Sequence, residues 1–485
     1  MMRAYVGGSW IEGERQLEVI NPFNGQLIDR VAECSAAEVE QAIATAHQAL
    51  PQTRQLEPYQ RARILAFIRD RLSEQQELFA RTLAQENGKT IHEARLEITR
   101  AVATFDIAVG ETTRIYGEAY DLAINPLATR RQALVRHYPI GVVAAIAPFN
   151  FPVNLAVHKI APALATGCPV ILKPASKTPL TALMLAQIIA ESGWPLAAFS
   201  VLPCSRTVGQ QLVEDERIKL LSFTGSPEVG WPMKRAAGKK KVILELGGNA
   251  GLIVDRDVRD WDWLIARAVM GAFYQCGQVC ISVQRIFLHH EIMGEFRSRF
   301  KKAAEALRSG DPLDERTTLG PMIDSANCQR LQRWIQEAID QGARLVTGHS
   351  VAPVGQGNSL AATILEEVDA RCAVVAEEAF GPVVTLTPVQ SMEEAFERVN
   401  DSRYGLQCGL FTNDFQTVMR AFDVLEVGGI IHNDVPSFRV DSMPYGGVKD
   451  SGLGREGVRY AMRDMLEERL LVYRSHCIPP IYMSH

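Results

Sequence analysis

The sequence predicts an α/β protein in which two doubly wound units follow one another along the chain. Strand-like and helix-like segments alternate from about Leu134 to Glu245, and a second alternation begins at 251–254. Residues 141–147 read Gly-Val-Val-Ala-Ala-Ile-Ala, an unbroken apolar run that is typical of a parallel strand buried on both faces. Each unit is therefore expected to form its own parallel sheet, with ligands beyond the carboxyl ends of the strands.

Composition and charge narrow the range of functions. A chain of 485 residues is too long for a single core, and roughly two or three domains are expected. The net charge of −5 provides no basic field for nucleic acid or for an anionic membrane surface. No apolar run reaches the roughly 18 residues of a membrane helix, and the N-terminus lacks a signal-peptide core. Nine scattered cysteines favour a reducing cytoplasm over a disulfide framework, and no spacing of His or Cys predicts a metal site.

The elements are expected in a definite order. Residues 1–35 form short strands and turns, and capping and apolar periodicity then predict helices at 35–50, 61–72, 73–87 and 91–114. In the first unit we expect strands at 141–147, 169–173, 199–202, 218–223 and 241–245, with helices at 156–165, 180–192, 208–213 and 228–237. In the second unit we expect strands at 251–254, 283–289, 343–346, 361–365 and 383–387, with helices at 261–274, 291–307 and 325–341. Strand-like segments at 130–136 and 467–473 flank these units, and such marginal strands invite pairing with a second subunit.

Polar side chains follow the first two strands of the first unit. Asn150 comes directly after the strand at 141–147, and its amide is a neutral donor suited to an oxyanion hole. Lys173 ends the next strand and can bond a ribose hydroxyl or a phosphate. An ordinary turn asparagine and a solvated surface lysine are the alternatives.

Three further segments contain residues with a predicted chemical role. Ser222–Ser226, with Gly230 following, forms a strand, a glycine turn and a helix start, which suits a pyrophosphate although G-x-G-x-x-G is absent. Glu245 precedes two glycines, so the carboxylate can swing and act as a general base. Cys280 follows a flexible turn at Gly277, so its thiolate can attack an electrophile while a backbone N–H holds the oxyanion. A small buried hydrophobe is the alternative for any one cysteine.

Taken in order, these segments resemble the aldehyde dehydrogenase superfamily over nearly the whole chain. The motifs that carry the resemblance are Pro148-Phe-Asn-Phe-Pro152, Phe223-Thr-Gly-Ser226, Glu245-Leu-Gly-Gly248, Gly277-Gln-Val-Cys280, Glu377-Glu-Ala-Phe-Gly-Pro-Val383 and Pro444-Tyr-Gly-Gly-Val-Lys449 followed by Ser451-Gly-Leu-Gly-Arg-Glu-Gly457. Segments 433–439 and 457–461 look closest to the lactaldehyde, phosphonoacetaldehyde and non-phosphorylating glyceraldehyde-3-phosphate branches.

The resemblance implies a fold with three parts. A Rossmann-like cofactor-binding domain would take residues 1–116 and 138–246, and a second α/β catalytic domain would take 247–442. A small β arm of residues 117–137 and 463–485 would build a homodimer or homotetramer.

The resemblance also implies a mechanism and an NAD or NADP cofactor. Cys280 would attack the aldehyde carbon, Asn150 and the Cys280 N–H would hold the oxyanion, and Glu245 would activate the water that hydrolyses the thioester. Transfer of the acyl group to coenzyme A is the minor alternative, because that reaction has less use for Glu245. The implied cofactor contacts are Pro148, Phe149, Lys173, Ser176, Gly209, Gly225, Ser226, Gly230, Leu246, Glu378 and Phe380.

Departures from the family pattern bear on specificity. Ser176 stands where strongly NAD-selective members carry a glutamate, so we expect NADP to be accepted. The loop at 202–205 lacks the usual glycine, which leaves its shape open. Val279 replaces the arginine of phosphate-binding branches, so a small polar or hydroxylated aldehyde is favoured over a phosphorylated or phosphonate-bearing one. The candidate substrate contacts are Arg100, Phe151 and Arg439.

Other functions remain as alternatives. The same thiol and carboxylate would support a cysteine esterase, and a non-enzymatic role would be favoured only by loss of Cys280 or Glu245. Cys276 lies one helical turn before Cys280 if the preceding helix persists, and a structural cysteine is favoured there over a redox partner.

Overall fold

Two parallel sheets form the framework of the chain, which confirms the predicted α/β class. The computed structural model describes residues 2–348 and 358–474. The helices are α1 Ala36–Gln55, α2 Pro58–Glu74, α3 Gln76–Asn87, α4 Ile91–Thr112, α5 Asn154–Thr166, α6 Leu180–Glu191, α7 Arg206–Glu214, α8 Pro227–Ala236, α9 Trp261–Phe273, α10 Met293–Glu305, α11 Ser325–Asp340, α12 Ala373–Ala376, α13 Met392–Asn400, α14 Phe415–Val424 and α15 Val458–Asp464. The strands are β1 Ala4–Val6, β2 Ser9–Ile11, β3 Arg15–Ile20, β4 Leu27–Glu33, β5 Glu118–Asp121, β6 Arg131–Pro139, β7 Val142–Ile146, β8 Val170–Lys173, β9 Phe199–Val201, β10 Ile218–Thr224, β11 Lys241–Glu245, β12 Gly251–Val254, β13 Arg285–His289, β14 Arg344–Thr347, β15 Thr363–Glu366, β16 Val383–Val389, β17 Tyr404–Gly405, β18 Gln407–Phe411, β19 Gly429–His432, β20 Val448–Lys449, β21 Gly452–Leu453 and β22 Leu466–Arg474.

The first sheet has the strand order β2-β1-β9-β8-β7-β10-β11-β21. Strands β7 to β11 run parallel, and the marginal strands β1, β2 and β21 pair antiparallel. The chain places β8 and β9 on one side of β7, and β10 and β11 on the other. This reversal creates a crevice beyond the carboxyl ends of β7 and β10, which is where open α/β sheets bind ligands.

The second sheet has the order β14-β15-β16-β13-β12-β18-β19, with only β14 antiparallel among these strands. Strand β13 begins at Arg285, two residues later than the sequence predicted. The reason is that the Val283 N–H donates to the carbonyl of Gly271 in α9 instead of to the sheet. Cys280 therefore lies in a loop at the amino end of β13, some residues before the strand itself.

A third, antiparallel sheet has the order β22-β6-β5. Strand β6 pairs with β22 from Arg131 to Pro139 and with β5 on its other side. The expectation that the segment 130–136 pairs with a second subunit is therefore wrong, because both edges of that strand are occupied within the chain. Among the described strands of this sheet, β22 and β5 are the ones with a free edge. The last part of the predicted arm, 475–485, lies outside the described residues.

The helices before the first sheet depart from prediction at their ends. Helix α1 continues through Pro51 to Gln55, because an internal proline removes one backbone hydrogen bond without forcing the helix to stop. Helix α2 extends to Glu74, so α3 begins at Gln76 and not at Ser73. Helix α5 is buried along its whole length, and its polar residues Asn154, His158 and Lys159 are buried together with the apolar ones. Within the described residues no helix combines the length and the apolar character needed to cross a bilayer.

Candidate active site

A cleft of about 700 Å³ opens beyond the carboxyl ends of β7 and β10. Its walls come from both α/β units, so it lies between the two sheets. The predicted site residues that line it are Pro148, Phe149, Asn150, Gly225, Ser226, Leu246, Cys280, Glu378 and Phe380. The rings of Phe149 and Phe380, one from each unit, meet edge to face at 5.8 Å.

The loop that presents Cys280 is tightly bent. Helix α9 ends at Phe273, and Gln275 and Cys276 then adopt left-handed φ values of 53° and 54°. Gly277 also has a positive φ of 67°, and a Cβ there would stand 2.2 Å from the carbonyl oxygen of Gly381. The helix does not persist to Cys276, so the premise of one helical turn between Cys276 and Cys280 is wrong. Cys276 is buried in the apolar core of the second unit, which supports a structural role for that thiol.

Cys280 is the one partly exposed cysteine among those that the structure describes. Its Sγ lies 3.0 Å from the hydroxyl of Tyr445. Burial raises the pKa of the Cys280 thiol to about 12, while the hydrogen bond with Tyr445 and the charge of Arg439 oppose that rise. Groups that stabilise the thiolate therefore decide how reactive this sulfur is.

Asn150 is 3% exposed and faces the same cleft as Cys280. Its Nδ2 donates to the carbonyl of Gln278 at 3.0 Å. An amide nitrogen has two hydrogens, so one bond orients the side chain and the second hydrogen remains for a ligand. This geometry suits the predicted oxyanion contact.

A buried ion pair fastens the Asn150 loop to the helices before it. The Nζ of Lys89 donates to Glu97 and, at 2.8 Å, to the carbonyl of Asn150. The Oε1 of Glu97 accepts the N–H groups of Val153 and Asn154 at 2.9 and 3.0 Å. Neither Lys89 nor Glu97 exposes its side chain.

The same loop is tied to the loop that carries Cys280. The Nε2 of Gln275 donates to the carbonyl of Asn150 at 2.8 Å and to Oδ1 of Asn87 at 2.7 Å. Asn87 in turn donates to the carbonyl of Phe149. These bonds hold the Asn150 amide and the Cys280 loop in one fixed arrangement.

Glu245 ends β11 and is 3% exposed. Both of its carboxylate oxygens are without a hydrogen-bond partner among the described residues. Burial, reinforced by the negative charge of Glu456, raises the pKa of Glu245 well above its usual value. A buried carboxyl group with a raised pKa is a candidate for general acid–base chemistry.

The structure does not place Glu245 in the wall of the cleft. A Cβ at position 446 would stand 2.9 Å from Oε1 of Glu245, so the carboxylate lies against Gly446. Nearby, Lys159 pairs with Glu456 at 2.7 Å. Burial alone would raise the pKa of Glu456, but Lys159 and Arg439 lower it to about 2. Glu245 is therefore the carboxyl of this group that can take up a proton.

Glu378 enters the cleft next to the two glycines after Glu245. Its Oε1 accepts the N–H of Gly248 at 3.0 Å, and burial raises its pKa to about 8. A Cβ at Gly247 would stand 2.3 Å from Oε2 of Glu378, and one at Gly248 would stand 2.6 Å from the carbonyl oxygen of Cys280. Glycine is therefore required at positions 247 and 248 because other parts of the chain approach the backbone closely there. The sequence had predicted a different reason, namely that the two glycines allow the Glu245 carboxylate to move.

The turn after β10 provides some, but not all, of the hydrogen-bond donors expected for a pyrophosphate. Ser226 is the N-cap of α8, with Pro227 in its first turn. The N–H of Gly225 is already bonded to the carbonyl of Glu245 at 3.0 Å. Donors for a phosphate would therefore come from Ser226 and the first turn of α8, which favours anions.

Four other predicted cofactor residues do not line the cleft. Lys173 lies along Gly209, where a Cβ would stand 2.8 Å from its Cε. Gly230 makes room for Leu246, where a Cβ would stand 2.5 Å from Cδ2. Ser176 faces a neighbouring cavity of about 620 Å³, although Ala175 beside it lines the cleft.

The predicted substrate residues fall into two groups. Phe151 belongs to an apolar cluster beside the thiol, and its other buried members are Leu155, Val279, Ile281, Leu406 and Tyr445. Arg100 is paired with Asp441 at 2.7 Å, and Arg439 with Glu456 at 3.2 Å. Both arginines therefore already have acidic partners, although the Nε of Arg439 is buried without one among the described residues.

Sequence reasoning assigned no role to Tyr445, Lys89 or Glu97. Tyr445 lies inside a motif that supported the family resemblance, so a signal was present but was not read as chemistry. Lys89 lies in the loop between α3 and α4, and Glu97 lies in α4, and no sequence signal distinguishes either of them from a surface residue. Their burial and partners are visible only in the folded chain.

Comparisons with known proteins agree with this geometry. Residues 10–471 match the model of the aldehyde dehydrogenase family. The 3-sulfolactaldehyde dehydrogenase of Priestia aryabhattai is 42% identical over 96% of this chain and 97% of its own. The crystal structure of aldehyde dehydrogenase 21 from Physcomitrella patens, in complex with the reaction product succinate, is 43% identical with a TM-score of 0.96 and covers 98% of each chain.

A third protein bears on the cofactor. The glyceraldehyde-3-phosphate dehydrogenase GapN of Methanocaldococcus jannaschii, complexed with NADP, is 36% identical with a TM-score of 0.90, covering 95% of this chain and 100% of its own. The fold, the residues that line the cleft and the sequence similarity therefore all indicate the same family. The chain belongs to the aldehyde dehydrogenase family, and it is an enzyme that uses NAD or NADP.

Proposed function

We propose that this enzyme oxidises small hydroxylated aldehydes to carboxylic acids through a covalent intermediate on Cys280. The observation that carries the proposal is that one cleft brings the Cys280 thiol together with the Asn150 amide and with Glu378 and Phe380. A nucleophile, an oxyanion donor and a polar and aromatic wall for a cofactor thus share a single space.

The chemistry assigned to the chain begins at the sulfur. The Cys280 thiolate adds to the aldehyde carbon, and a C–S bond forms while the carbonyl π electrons move to oxygen. The resulting oxyanion is held by the second Asn150 amide hydrogen and by the Cys280 N–H. When bound, NAD or NADP supplies the hydride acceptor that the oxidation to a thioester requires.

Glu245 is proposed to complete the reaction as general base. It takes a proton from water, the resulting hydroxide adds to the thioester carbon, and the C–S bond breaks to release the acid and the Cys280 thiolate. For this step the carboxylate has to move from its position against Gly446 toward the thiol. The absence of hydrogen-bond partners on its oxygens among the described residues leaves it free to do so.

The cofactor is proposed to lie along the crevice beyond β7 and β10. Pro148, Phe149 and Leu246 would form its apolar wall, and Phe380 and Glu378 would hold the nicotinamide end. Gly225 and Ser226 belong to the turn proposed for the pyrophosphate, and Gly230, in the following helix α8, makes room for Leu246. Lys173, kept in place by Gly209, and Ser176 are assigned to the adenosine ribose.

Ser176 supports the use of NADP alongside NAD. A hydroxyl does not repel a 2′-phosphate as a carboxylate at this position would. The most similar structures include one complexed with NADP, which is consistent with this assignment.

The substrate class rests on the lining beside the thiol. Val279 and its apolar neighbours offer no charge next to the sulfur, and Arg100 and Arg439 lie in ion pairs with acids. A relative named for 3-sulfolactaldehyde is consistent with a short hydroxylated aldehyde. A phosphate- or phosphonate-bearing aldehyde is the second candidate, because the Nε of Arg439 is unpartnered among the described residues.

The proposed division into a cofactor domain, a catalytic domain and an arm follows the three sheets. The free edge of β22 and its exposed Leu470, Leu471 and Val472 support a homo-oligomer built through the arm. The cysteines that the structure describes are all free thiols, which supports a reducing compartment such as the cytoplasm.

A panel of aldehydes with both cofactors tests the proposal. Purified enzyme is mixed with hydroxylated, unsubstituted and phosphorylated aldehydes, and reduction is followed by absorbance at about 340 nm, which only a dehydrogenase produces. We expect turnover with short hydroxylated aldehydes and none in Cys280→Ala. Turnover in Cys280→Ala would refute the nucleophile, and turnover with phosphorylated aldehydes alone would refute the substrate class.

A further inference from the structure

The hydroxyl of Tyr445 lies 3.0 Å from the Sγ of Cys280. Tyr445 is 3% exposed, and its backbone is fixed by two hydrogen bonds with Glu456, from Tyr445 N to Glu456 O at 3.1 Å and from Glu456 N to Tyr445 O at 2.7 Å. The ring also packs in the apolar cluster beside the sulfur. The hydroxyl is therefore held at the sulfur by both the backbone and the ring.

A cation lies on the other side of this tyrosine. The guanidinium carbon of Arg439 is 3.7 Å from the centre of the Tyr445 ring. Arg439 is itself held by an ion pair with Glu456 at 3.2 Å. A cation on the face of a phenol draws electron density from the ring and makes its O–H a better donor.

The direction of the hydrogen bond follows from the chemistry of the two groups. Burial, together with Cys280, raises the pKa of Tyr445 well above its usual value, so the phenol keeps its hydrogen at neutral pH. A thiolate has no hydrogen to give. When Cys280 is ionised, the Tyr445 O–H must therefore donate to the sulfur.

We propose that Tyr445 is a catalytic residue of this enzyme: its O–H donates to the Cys280 thiolate, and Arg439, stacked on the ring, strengthens that donor. The inference rests on the proposed role of Cys280 as nucleophile. Among the described residues, the Tyr445 hydroxyl is the side-chain donor within hydrogen-bond distance of the sulfur, and it would stabilise the thiolate before any aldehyde arrives.

The other charges around the sulfur do not replace this donor. Besides Tyr445, the titratable groups that act on Cys280 are Glu378 and Glu245, which disfavour the thiolate, and Arg439, which favours it. The charge of Arg439 also acts on the sulfur through space, and this effect is retained when the hydroxyl is removed. Removal of the single hydroxyl should therefore raise the pH at which the thiol ionises.

The pH dependence of alkylation measures that ionisation without turnover. Full-length enzyme without cofactor or aldehyde is treated with iodoacetamide from pH 7 to pH 11, and the modification of the peptide containing Cys280 is quantified by mass spectrometry. Because the pKa of about 12 lies above this range, shifts of the midpoint are read from the displacement of the rate–pH curves along the pH axis. We expect Tyr445→Phe to move the midpoint upward by roughly 1–2 pH units, the size expected for a lost hydrogen bond to a charged group. The intrinsic reactivity of the thiolate itself should not fall, because a less stabilised thiolate is at least as nucleophilic.

The matched control removes a different hydroxyl from the same neighbourhood. Tyr274 contacts the same apolar cluster, and its hydroxyl has no hydrogen-bond partner among the described residues. Tyr274→Phe should leave the midpoint unchanged. Equal midpoints in wild type and Tyr445→Phe would overturn the proposal, since a tyrosine that only packs would give that result.

A second variant covers the case in which Tyr445→Phe fails to fold. Incorporation of 3-fluorotyrosine at position 445 keeps the ring and the hydroxyl but makes the hydroxyl a stronger donor, so the midpoint should move downward. No shift, or an upward shift, would contradict the proposal. Both readouts are independent of turnover, so failure of Cys280 as the nucleophile would be recognised separately, by activity in Cys280→Ala.

Discussion

The Nζ of Lys89 lies 2.8 Å from the carbonyl oxygen of Asn150. The side chain of Lys89 is completely buried, and burial lowers its pKa despite the opposing charge of Glu97. A buried charge of this kind is stable only with its partner, so the ion pair and the position of the Asn150 amide depend on each other.

Lys89→Met should weaken both stability and catalysis. Removal of one partner leaves Glu97 as an uncompensated buried charge, which we expect to cost about 3–5 kcal/mol in the free energy of unfolding. Release of the Asn150 loop should lower kcat on the order of 10²-fold, as a misplaced catalytic group does. Denaturant unfolding and steady-state kinetics measure the two effects.

The control for this prediction is the double variant Lys89→Met with Glu97→Gln. The introduced glutamine side chain would keep an oxygen acceptor for the N–H groups of Val153 and Asn154, yet it carries no charge. Stability should return in large part while kcat stays low, because Asn150 O still lacks Lys89. Full recovery of kcat in the double variant would show that Lys89 does not position Asn150.

Glu245→Gln should lower the activity of the enzyme and raise its stability. If Glu245 is the general base, the acyl-enzyme accumulates after one turnover, and steady-state kcat falls by roughly 10²–10⁴-fold. Rapid mixing should then show a burst of about one reduced cofactor per active site. A steady-state rate equal to that of wild type would exclude Glu245 as the base.

The raised pKa of Glu245 also predicts a pH-dependent stability. The folded state binds the proton more tightly than the unfolded state, so this group favours folding below the unfolded pKa of about 4.5, and the benefit is lost as pH rises through the folded pKa. Glu245→Gln should therefore raise Tm relative to wild type at pH 8 and have a smaller effect near pH 4. An effect that does not change with pH would argue against the raised pKa.

Ser176→Glu should shift the cofactor preference of the enzyme from NADP toward NAD. A carboxylate near the 2′-phosphate should lower kcat/KM for NADP roughly 100-fold or more, since facing like charges cost several kcal/mol, while kcat/KM for NAD is maintained. Ser176→Gln, similar in size but uncharged, is the control and should retain NADP. In wild type, a kcat/KM with NADP below roughly a thousandth of that with NAD would contradict the assignment of Ser176.

Gly209→Ala should weaken cofactor binding through Lys173. The new methyl group would stand 2.8 Å from Cε of Lys173, so the lysine must move. We expect KM for the cofactor to rise about tenfold, which corresponds to about 1.4 kcal/mol, with little change in kcat. Gly294→Ala is the matched control, because nothing lies within 4 Å of its Cβ, and an equal KM in both variants would refute the contact.

Several features of this protein could be predicted from the sequence because they are local. The unbroken apolar run at 141–147 predicts a buried parallel strand, and Lys241–Glu245 and Gly251–Val254 are strands within the predicted limits. Polar residues that directly follow parallel strands converge at one edge of a sheet, which is why Asn150 and Gly225 could be assigned to one cleft. The motif around Cys280 added the nucleophile through resemblance.

Only the tertiary structure decided which distant residues meet. Tyr445 and Cys280 are 165 positions apart, and no local periodicity encodes their contact. The pairing of Arg439 with Glu456, the central place of β6 in its sheet and the position of Glu245 against Gly446 depend likewise on how the units pack. The sequence by itself therefore determined the sheets and the family and predicted the nucleophile, because strand and motif patterns are short-range. The electrostatic surroundings of the thiol were decided by the fold, because charges and hydrogen bonds act through space.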